Sequence, residues 1–362
     1  MSPAINLADY EALARARLDD KTWGYVAGGA GDEITQRENR SAWDALRLHP
    51  RVLRSLAGGH TRVELLGRTL AHPMLVAPMA YQRLVHADGE TALALAAAAQ
   101  SAGFVLSTQS STPMEDVARV VLGDAERGPL WFQLYLQPDR GFTRALLQRA
   151  EAAGFEAIVL TVDAPTSGAR DRERRAAFRL PPGVSAVDLA GAPAAPNHAG
   201  KSLFDGLLHH AATWDDIEWL RRTTRLPLLL KGVLHADDAR QAERMGADGI
   251  VVSNHGGRTL DTVVASAEAL PSIADAVGST LPLLVDGGIQ RGTDVLKACA
   301  LGARAVLVGR PLLFALGAAG AQGAAHALRL LRDELEIAMA LAGCRQLVDA
   351  RRALFFNRPA PR

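Results

Sequence analysis

Short apolar runs alternate with amphipathic segments along most of this chain. Eight runs rich in Val, Ile and Leu, each bounded by turn residues, predict strands at 73–79, 104–108, 130–136, 156–163, 226–232, 247–254, 281–286 and 303–308. The intervening segments carry apolar residues at helical spacing and predict helices at 88–102, 114–121, 142–153, 214–223, 236–245, 265–277, 293–301 and 311–318. Eight strands alternating with eight helices, without a long antiparallel signal, indicate an α/β fold whose parallel sheet closes into a (β/α)8 TIM barrel.

The barrel is predicted over residues 73–320, within a single domain that covers 1–362. Residues 1–72 form an N-terminal extension with two or three short helices and room for a hairpin, and residues 321–362 supply a C-terminal helix and tail. The one long irregular connection, 166–213, is expected to cover or border the active site, because such loops in compact domains commonly serve as lids.

Composition narrows the choice of function. The 362 residues are 48% hydrophobic, which is ample for a core. Their net charge of +1 is too small to create an electrostatic field that would attract nucleic acid. Cys299 and Cys344 are too few for a disulfide framework and are expected as reduced thiols packed in helices. The N-terminus lacks the apolar core of a secretory signal, which predicts a cytoplasmic protein. The charge-free stretch 311–328 contains three glycines and fits a buried helical corner, so no membrane association is expected.

Polar side chains concentrate where the predicted strands end. The segment 253–261, SNHGGRTLD, places His255 and Arg258 at the tip of an apolar strand. In a (β/α)8 barrel the chemistry lies at the carboxyl ends of the strands. Each of the eight predicted strands contributes residues there: Pro78, Met79 and Ala80; Ser107 and Gln109; Gln133 and Tyr135; Thr161 and Asp163; Lys231; Ser253, His255 and Arg258; Asp286 and Gly288; Gly309 and Arg310.

Two kinds of chemistry follow from these residue types. Asp286-Gly-Gly and Gly309-Arg310 end strands seven and eight, the usual phosphate site of this fold, and predict a phosphorylated cofactor or substrate. The remaining polar groups suit a base with an orienting carboxylate, an anion clamp and hydrogen-bond donors, namely His255, Asp163, Arg258, Tyr135 and Lys231. Together they predict removal of a proton or hydride from a small carboxylate. His235 is a second candidate base, although its position before Ala-Asp-Asp favours a helix-start residue.

From about residue 7 to 350 the chain resembles the FMN-dependent 2-hydroxy-acid oxidases and dehydrogenases, which include glycolate oxidase, lactate oxidase and mandelate dehydrogenase. The resemblance rests on SNHGGRTLD at 253–261, DGGIQRGTDVLKACALGA at 286–303, VGRP at 308–311, QLY at 133–135 and LTVDAP at 160–165. It implies FMN as the cofactor and a homotetramer, or an octamer built from it.

The resemblance also implies individual roles. His255 corresponds to the catalytic base, Asp163 to its orienting partner, and Arg258 with Arg170 to the clamp on the substrate carboxylate. Tyr25 and Tyr135 correspond to substrate contacts, and Lys231 to a cation facing flavin N1. The remaining correspondences are to cofactor contacts: Pro78, Met79, Ala80, Ser107, Gln133, Thr161 and Ser253 near the ring, and Asp286, Gly288, Gly309 and Arg310 at the ribityl phosphate.

Three positions depart from the family pattern. Gln290 stands where an arginine is usual, so phosphate binding is expected to rely on Arg310 and backbone, with Arg291 as an alternative cation. Met79 and Gln109 differ from glycolate oxidases, whereas the phrase AYQRL at 80–84 resembles bacterial hydroxymandelate oxidases. These differences favour an aryl or larger 2-hydroxy acid.

The leading hypothesis is therefore FMN-dependent oxidation of an (S)-2-hydroxy acid to the 2-oxo acid, with O2 as acceptor and hydrogen peroxide as product. One alternative is a dehydrogenase that passes electrons to quinone or a cytochrome, and another is a flavin-binding barrel without redox catalysis. The residues leave open whether His255 takes its proton from Cα or from the hydroxyl group.

Overall fold

Three helices and a hairpin precede the barrel. The computed structural model describes residues 4–193, 202–204, 208 and 211–356. Helix α1 (Leu7–Arg15) is capped by Asn6 and α2 (Asp20–Ala27) by Asp19, whose side chains accept from backbone N–H groups of the first turn. Helix α3 (Ile34–Ala45) follows, and strands β1 (Val63–Leu65) and β2 (Arg68–Leu70) form an antiparallel hairpin.

Eight parallel strands then close into a barrel, which confirms the predicted (β/α)8 architecture. Each strand pairs with its neighbours in chain order, and the last pairs with the first. The strands are β3 (Met74–Val76), β4 (Gly103–Ser107), β5 (Leu130–Leu134), β6 (Ala157–Thr161), β7 (Leu228–Val233), β8 (Gly249–Val252), β9 (Leu283–Val285) and β10 (Ala305–Val308). All eight lie inside or within a residue of the predicted ranges.

Alternate strand residues face two separate cores. One set fills the barrel interior and includes Val105, Val159, Val251 and Leu307, packed with Leu65 and Leu70 of the hairpin. The other set packs outward against the helices. Because successive strand side chains point to opposite faces, a strand buried on both faces must be apolar throughout, as these runs are.

The helices that follow the strands are α4 (Gly89–Ala98), α5 (Met114–Val121), α6 (Arg140–Ala152), α7 (Asp171–Arg175), α8 (Trp214–Thr223), α9 (Ala236–Arg244), α10 (Ser266–Val277), α11 (Gly292–Leu301) and α12 (Arg310–Ala342). Of these helices, all except α7 and α12 match predicted segments. Among the described residues, no helix is both long and apolar enough to cross a bilayer.

Three expectations need correction. The predicted helices at 311–318 and in the C-terminal segment form one element, α12, kinked where Ala319 and Gly320 leave helical geometry and Gly320 adopts a φ of +63°. The connection 166–213 is not wholly irregular, since it contains α7 and a 3-10 turn at Val187–Leu189. Residues 194–201, 205–207 and 209–210 of that connection lie outside the described part of the chain. Cys344 lies just past the end of α12 rather than within a helix.

Candidate active site

His255 and Asp163 form a pair at the carboxyl ends of β8 and β6. The Nδ1 of His255 lies 2.9 Å from Oδ1 of Asp163. On the other side of the ring, Nε2 of His255 lies 3.4 Å from the phenol oxygen of Tyr135. His255 has a φ of +57°, which costs a side-chain-bearing residue on the order of 1 kcal/mol, and its N–H donates to Oγ of Ser253 at 3.0 Å. With the Nδ1 proton directed at the carboxylate, the lone pair on Nε2 faces the cavity side of the ring.

The electrostatics keep this histidine neutral. Burial lowers the pKa of His255 below 6.5, the nearby charge of Lys231 lowers it further, and Asp163 only partly offsets both. Burial alone would raise the pKa of Asp163, but the hydrogen bond from His255 and the charge of Lys231 lower it, so the carboxylate stays ionised. Burial raises the pKa of Tyr135 to about 12, which keeps its phenol protonated. A neutral base and a protonated donor therefore face each other at neutral pH.

The lowered pKa of His255 gives a pH prediction. We expect kcat/KM to fall as the pH drops through this pKa, with a midpoint below 6.5, because protonation removes the lone pair on Nε2. Asp163→Asn should lower activity and move the midpoint further toward acid, since the Asp163 hydrogen bond and charge raise the pKa of His255. The pH dependence of kcat/KM for both proteins checks this, and an acid limb centred above 6.5 in the unmodified protein would contradict it.

Lys231 is a buried cation held between two strands. Its Nζ donates to Oγ of Ser253 at 3.0 Å and lies 3.3 Å from Oδ2 of Asp286. Burial favours loss of its proton, but the charges of Asp286 and Asp163 outweigh burial and raise the pKa of Lys231. The group therefore stays positive, and Oδ1 of Asp286 is buried without a hydrogen-bond partner among the described residues.

An amide on β5 links three strands. Oε1 of Gln133 accepts from Oγ of Ser107 at 3.0 Å, and its Nε2 donates to Oγ1 of Thr161 at 3.0 Å. Ser107 ends β4 and Thr161 ends β6, so the chain of hydrogen bonds crosses the rim of the barrel. These bonds set the orientation of the Gln133 amide and present a polar wall to a ring-shaped ligand.

Two arginines supply positive charge near the base. Nη1 of Arg258 donates to the carbonyl oxygens of Tyr25 at 2.9 Å and Gly28 at 2.6 Å, and its Cζ lies 5.3 Å from the centre of the Tyr25 ring. Burial lowers the pKa of Arg258, and the charge of Arg170 lowers it further. Arg170 is 3.4 Å from Glu173, and its Nε is buried without a partner in the described residues. An anion between these two adjacent guanidinium groups would stabilise both positive charges.

Arg310 marks a second anion site. It is the first residue of α12, and its Nη2 donates to Gly28 O and to Oε1 of Gln36, both at 3.2 Å. Burial, and then the charge of Arg258, lowers its pKa to about 9, and its Nε has no partner among the described residues. A cation at a helix N-terminus is disfavoured by the helix dipole, whereas an anion is favoured there. The site therefore suits a phosphate, whose negative charge would neutralise both the guanidinium of Arg310 and the positive end of the helix dipole.

The backbone near Arg310 also suits a phosphate. Gly287 and Gly288 have φ values of +90° and +80°, and a Cβ at Gly288 would overlap the carbonyl oxygen of Asn39. A Cβ at Gly309 would make only ordinary van der Waals contacts, the nearest with Cβ of Ala77 at 3.6 Å, so protein atoms do not crowd Gly309. Together with the unpartnered Arg310 and the polar rim, these features fit the phosphate and ring of FMN.

Helix α3 holds the glycine loop, formed by Gly287 and Gly288, in place, and the sequence does not indicate this contribution. Asn39 and Asn254 exchange side-chain hydrogen bonds of 2.8 Å each. Nε1 of Trp43 donates to Gly287 O at 2.8 Å, and Nη1 of Arg40 donates to Gly288 O at 2.6 Å. Tyr25 is the one residue of the N-terminal extension that the sequence assigns to the site, and no local pattern in α3 indicates these long-range contacts.

The predicted site residues come together in one cavity of about 560 Å³. All of them line it except Asp163 and Ser253, which lie behind its wall and bond to His255 and Lys231. The lining members are Tyr25, Pro78, Met79, Ala80, Ser107, Gln133, Tyr135, Thr161, Arg170, Lys231, His255, Arg258, Asp286, Gly288, Gly309 and Arg310. Their individual roles stay predictions.

The two alternative candidates from the sequence, Arg291 and His235, do not line this cavity. Gln290 lines the cavity, but Arg291 does not; its guanidinium is 3.0 Å from Glu334 on α12. His235 is the N-cap of α9, where its Nδ1 accepts from Asp237 N at 3.1 Å, so the helix-start interpretation is confirmed.

Comparisons with known proteins agree with this geometry. A family model described as FMN-dependent dehydrogenase matches residues 14–357. An L-lactate oxidase from Nostoc sp. is 49% identical over 356 residues, covering 96% of this chain and 97% of that protein. A 4-hydroxymandelate oxidase from Amycolatopsis orientalis is 45% identical over 354 residues, covering 96% of this chain and 97% of that protein. A crystal structure of mandelate oxidase with (S)-2-phenylpropionate superposes with a TM-score of 0.88 at 45% identity, covering 97% of this chain and 98% of that one.

Proposed function

This chain belongs to the FMN-dependent dehydrogenase family, and we propose that it oxidises (S)-2-hydroxy acids with an aryl or otherwise bulky side chain, using O2 as acceptor. The reaction removes two electrons and two protons from the hydroxy acid to give the 2-oxo acid. The same electrons and protons reduce O2 to hydrogen peroxide.

The observation that carries this proposal is the meeting of a neutral base and two cations in one cavity. His255 with Asp163 supplies a proton acceptor, and Arg258 with Arg170 supplies a site for a carboxylate. A 2-hydroxy acid has both a carboxylate for the arginines and a hydrogen, on Cα or on the hydroxyl group, for the base. Because the guanidinium fork matches a planar carboxylate, the clamp sets the orientation of Cα toward the base.

The chain's own residues handle the proton and the charge. Nε2 of His255 accepts a proton from the substrate, and the ionised Asp163 stabilises the imidazolium that results. The protonated phenol of Tyr135 donates a hydrogen bond where negative charge develops on the substrate oxygen. Bound FMN supplies the two-electron acceptor, which is chemistry that no side chain of this site can provide.

The cofactor would be held at three places. Arg310 and the backbone of Gly288 and Gly309 would bind its phosphate, and the hydrogen-bonded chain through Gln133 would contact its ring. Lys231 would place a fixed positive charge beside the ring, where it favours the reduced, anionic form.

The bulky side chain of the substrate is proposed from the aromatic residues on the same cavity. Tyr25 stacks on Phe178 at 4.5 Å between ring centres and lies 6.3 Å from Tyr81. Tyr81 adopts a φ of +54°, and its N–H donates to Gln109 O at 3.0 Å. Apolar and aromatic walls favour an apolar substituent on Cα.

Anaerobic stopped-flow mixing with (S)-mandelate, (S)-lactate and glycolate tests the proposed function. We expect rapid bleaching of the oxidised flavin, fastest with (S)-mandelate, followed on admission of air by recovery of the flavin and one hydrogen peroxide per 2-oxo acid. Faster bleaching by (S)-lactate than by (S)-mandelate would reject the bulky-substrate part. Absence of bleaching by any 2-hydroxy acid would instead favour a flavin-binding barrel without redox catalysis.

The acceptor and the assembly need separate measurements. Turnover under air should exceed turnover with an artificial dye acceptor, and the reverse would indicate a dehydrogenase.

We also propose a homotetramer, or an octamer built from it, and light scattering of the holoenzyme during size-exclusion chromatography measures its mass.

A further inference from the structure

A second cavity, of about 430 Å³, lies away from the candidate active site. One of its lining residues, Ala71, lies just before β3 begins, so the cavity is at the amino ends of the strands, whereas the active site is at their carboxyl ends. Segment 56–62 forms one wall. The C-terminal half of α12 forms another, through residues at helical spacing: Arg332, Glu336, Met339 and Ala340.

The polar lining of this cavity is strongly basic. Arg62, Arg332 and Arg345 come from three different segments, and His60 lies among them. Glu336 is the one acidic residue of the lining, and it is engaged by Nε of Arg332 at 3.2 Å. The described lining therefore carries three guanidinium groups and a single carboxylate.

Most of these donors have no partner within the described part of the chain. The guanidinium groups of Arg62 and Arg345 take part in no hydrogen bond or ion pair there, and Nδ1 of His60 is buried without a hydrogen-bond partner. Asp349, the nearest carboxylate in sequence to Arg345, accepts from the backbone N–H groups of Arg345 and Gln346 instead. Several cations on the lining of one cavity, without counter-ions, favour binding of an anion.

The lining also has an apolar side. Leu56, Met339, Ala340 and Cys344 line it, and burial raises the pKa of the Cys344 thiol, so this residue adds no negative charge. A ligand for the cavity thus needs a charged group for the arginines and a small apolar part for this wall. A tetrahedral phosphoryl group presents oxygens in several directions and can meet cations from three segments, whereas one arginine fork is enough for a planar carboxylate.

We propose that this cavity is a second anion-binding site, distinct from the active site, which takes a small phosphate monoester. The proposal does not depend on the oxidase activity, because none of the residues that form the cavity lines the active site.

Calorimetric titration of the FMN-loaded protein with phenyl phosphate tests the proposal, with inorganic phosphate as a second probe. We expect binding of phenyl phosphate in preference to inorganic phosphate, because only the ester fills the apolar wall. The double variant Arg62→Gln, Arg345→Gln should bind phenyl phosphate on the order of 100-fold more weakly, since each guanidinium contributes a charge-assisted hydrogen bond. Its turnover of 2-hydroxy acid should be unchanged.

Arg144→Gln is the matched control. Arg144 is an exposed arginine on α6 with no hydrogen bond or ion pair in the described residues, so this variant removes one positive charge away from the cavity and should bind phenyl phosphate normally. Equal affinity in the double variant would overturn the proposal. So would a perturbed flavin spectrum on binding, which would locate the ligand in the active site. Loss of oligomeric mass in the double variant without any phenyl phosphate binding to the unmodified protein would assign these arginines to a subunit interface.

Discussion

Replacing His255 by alanine is expected to slow substrate-driven bleaching of the flavin by on the order of 10⁴-fold, the upper range for a general base. The variant should still bind FMN, because the proposed phosphate contacts lie at Arg310 and the glycine loop, and His255 is not among them. Anaerobic stopped-flow absorbance of the holoenzyme measures the rate, and the flavin-to-protein absorbance ratio measures cofactor retention.

A second histidine provides the control for this experiment. His235 is exposed and caps α9, so His235→Ala removes an imidazole and a helix cap without touching the cavity. It should lower the free energy of unfolding by about 1 kcal/mol and leave the bleaching rate unchanged. Rapid bleaching in the His255 variant, or equal loss in both variants, would refute His255 as the base.

Replacing Arg258 by lysine is expected to lower kcat/KM by on the order of 10²- to 10³-fold, mainly through KM. Lysine keeps the charge but cannot donate both to the carbonyl oxygens of Tyr25 and Gly28 and to a substrate carboxylate in a fixed plane. Steady-state kinetics with the preferred 2-hydroxy acid, supported by a titration with the 2-oxo product, separates substrate binding from the chemical step.

Arg291→Lys is the matched change for Arg258→Lys. Arg291 pairs with Glu334 and does not line the cavity, so its replacement by lysine should leave KM and cofactor content unchanged. If Arg258→Lys kept normal kcat/KM, or if Arg291→Lys lost FMN, the present assignment of the two cation positions would be wrong.

Most strands and helices of the barrel can be predicted because the sequence pattern that indicates each of them is local. A strand buried on both faces needs an unbroken apolar run, and a following amphipathic helix needs its own spacing, so eight repeats of this pattern are visible without any contact information. The polar residues at the strand ends follow from the same logic, since parallel strands in a closed barrel all end at one rim. His255, Lys231 and Asp163 are predicted at the rim on this basis.

The N-terminal extension was not predictable to the same depth. Asn39 and Trp43 bond to loops more than half the chain away, and nothing in the spacing of α3 distinguishes a helix that holds these loops from one that merely covers a surface. The same limit applies to Arg291, whose sequence position beside Gln290 suggested a phosphate contact but whose side chain turns toward Glu334.

The sequence alone therefore determined the barrel, the rim and the chemical types of residue at that rim, because these depend on local periodicity and on one rule of the fold. Tertiary structure alone decided which of those groups meet. It paired the neutral His255 with Asp163, left Arg310 without a counter-ion, and brought Arg62 and Arg345 together at the opposite end of the barrel. Hydrogen bonds and charges act over a few ångströms in space, and residues far apart in the chain reach that distance only after the barrel has closed.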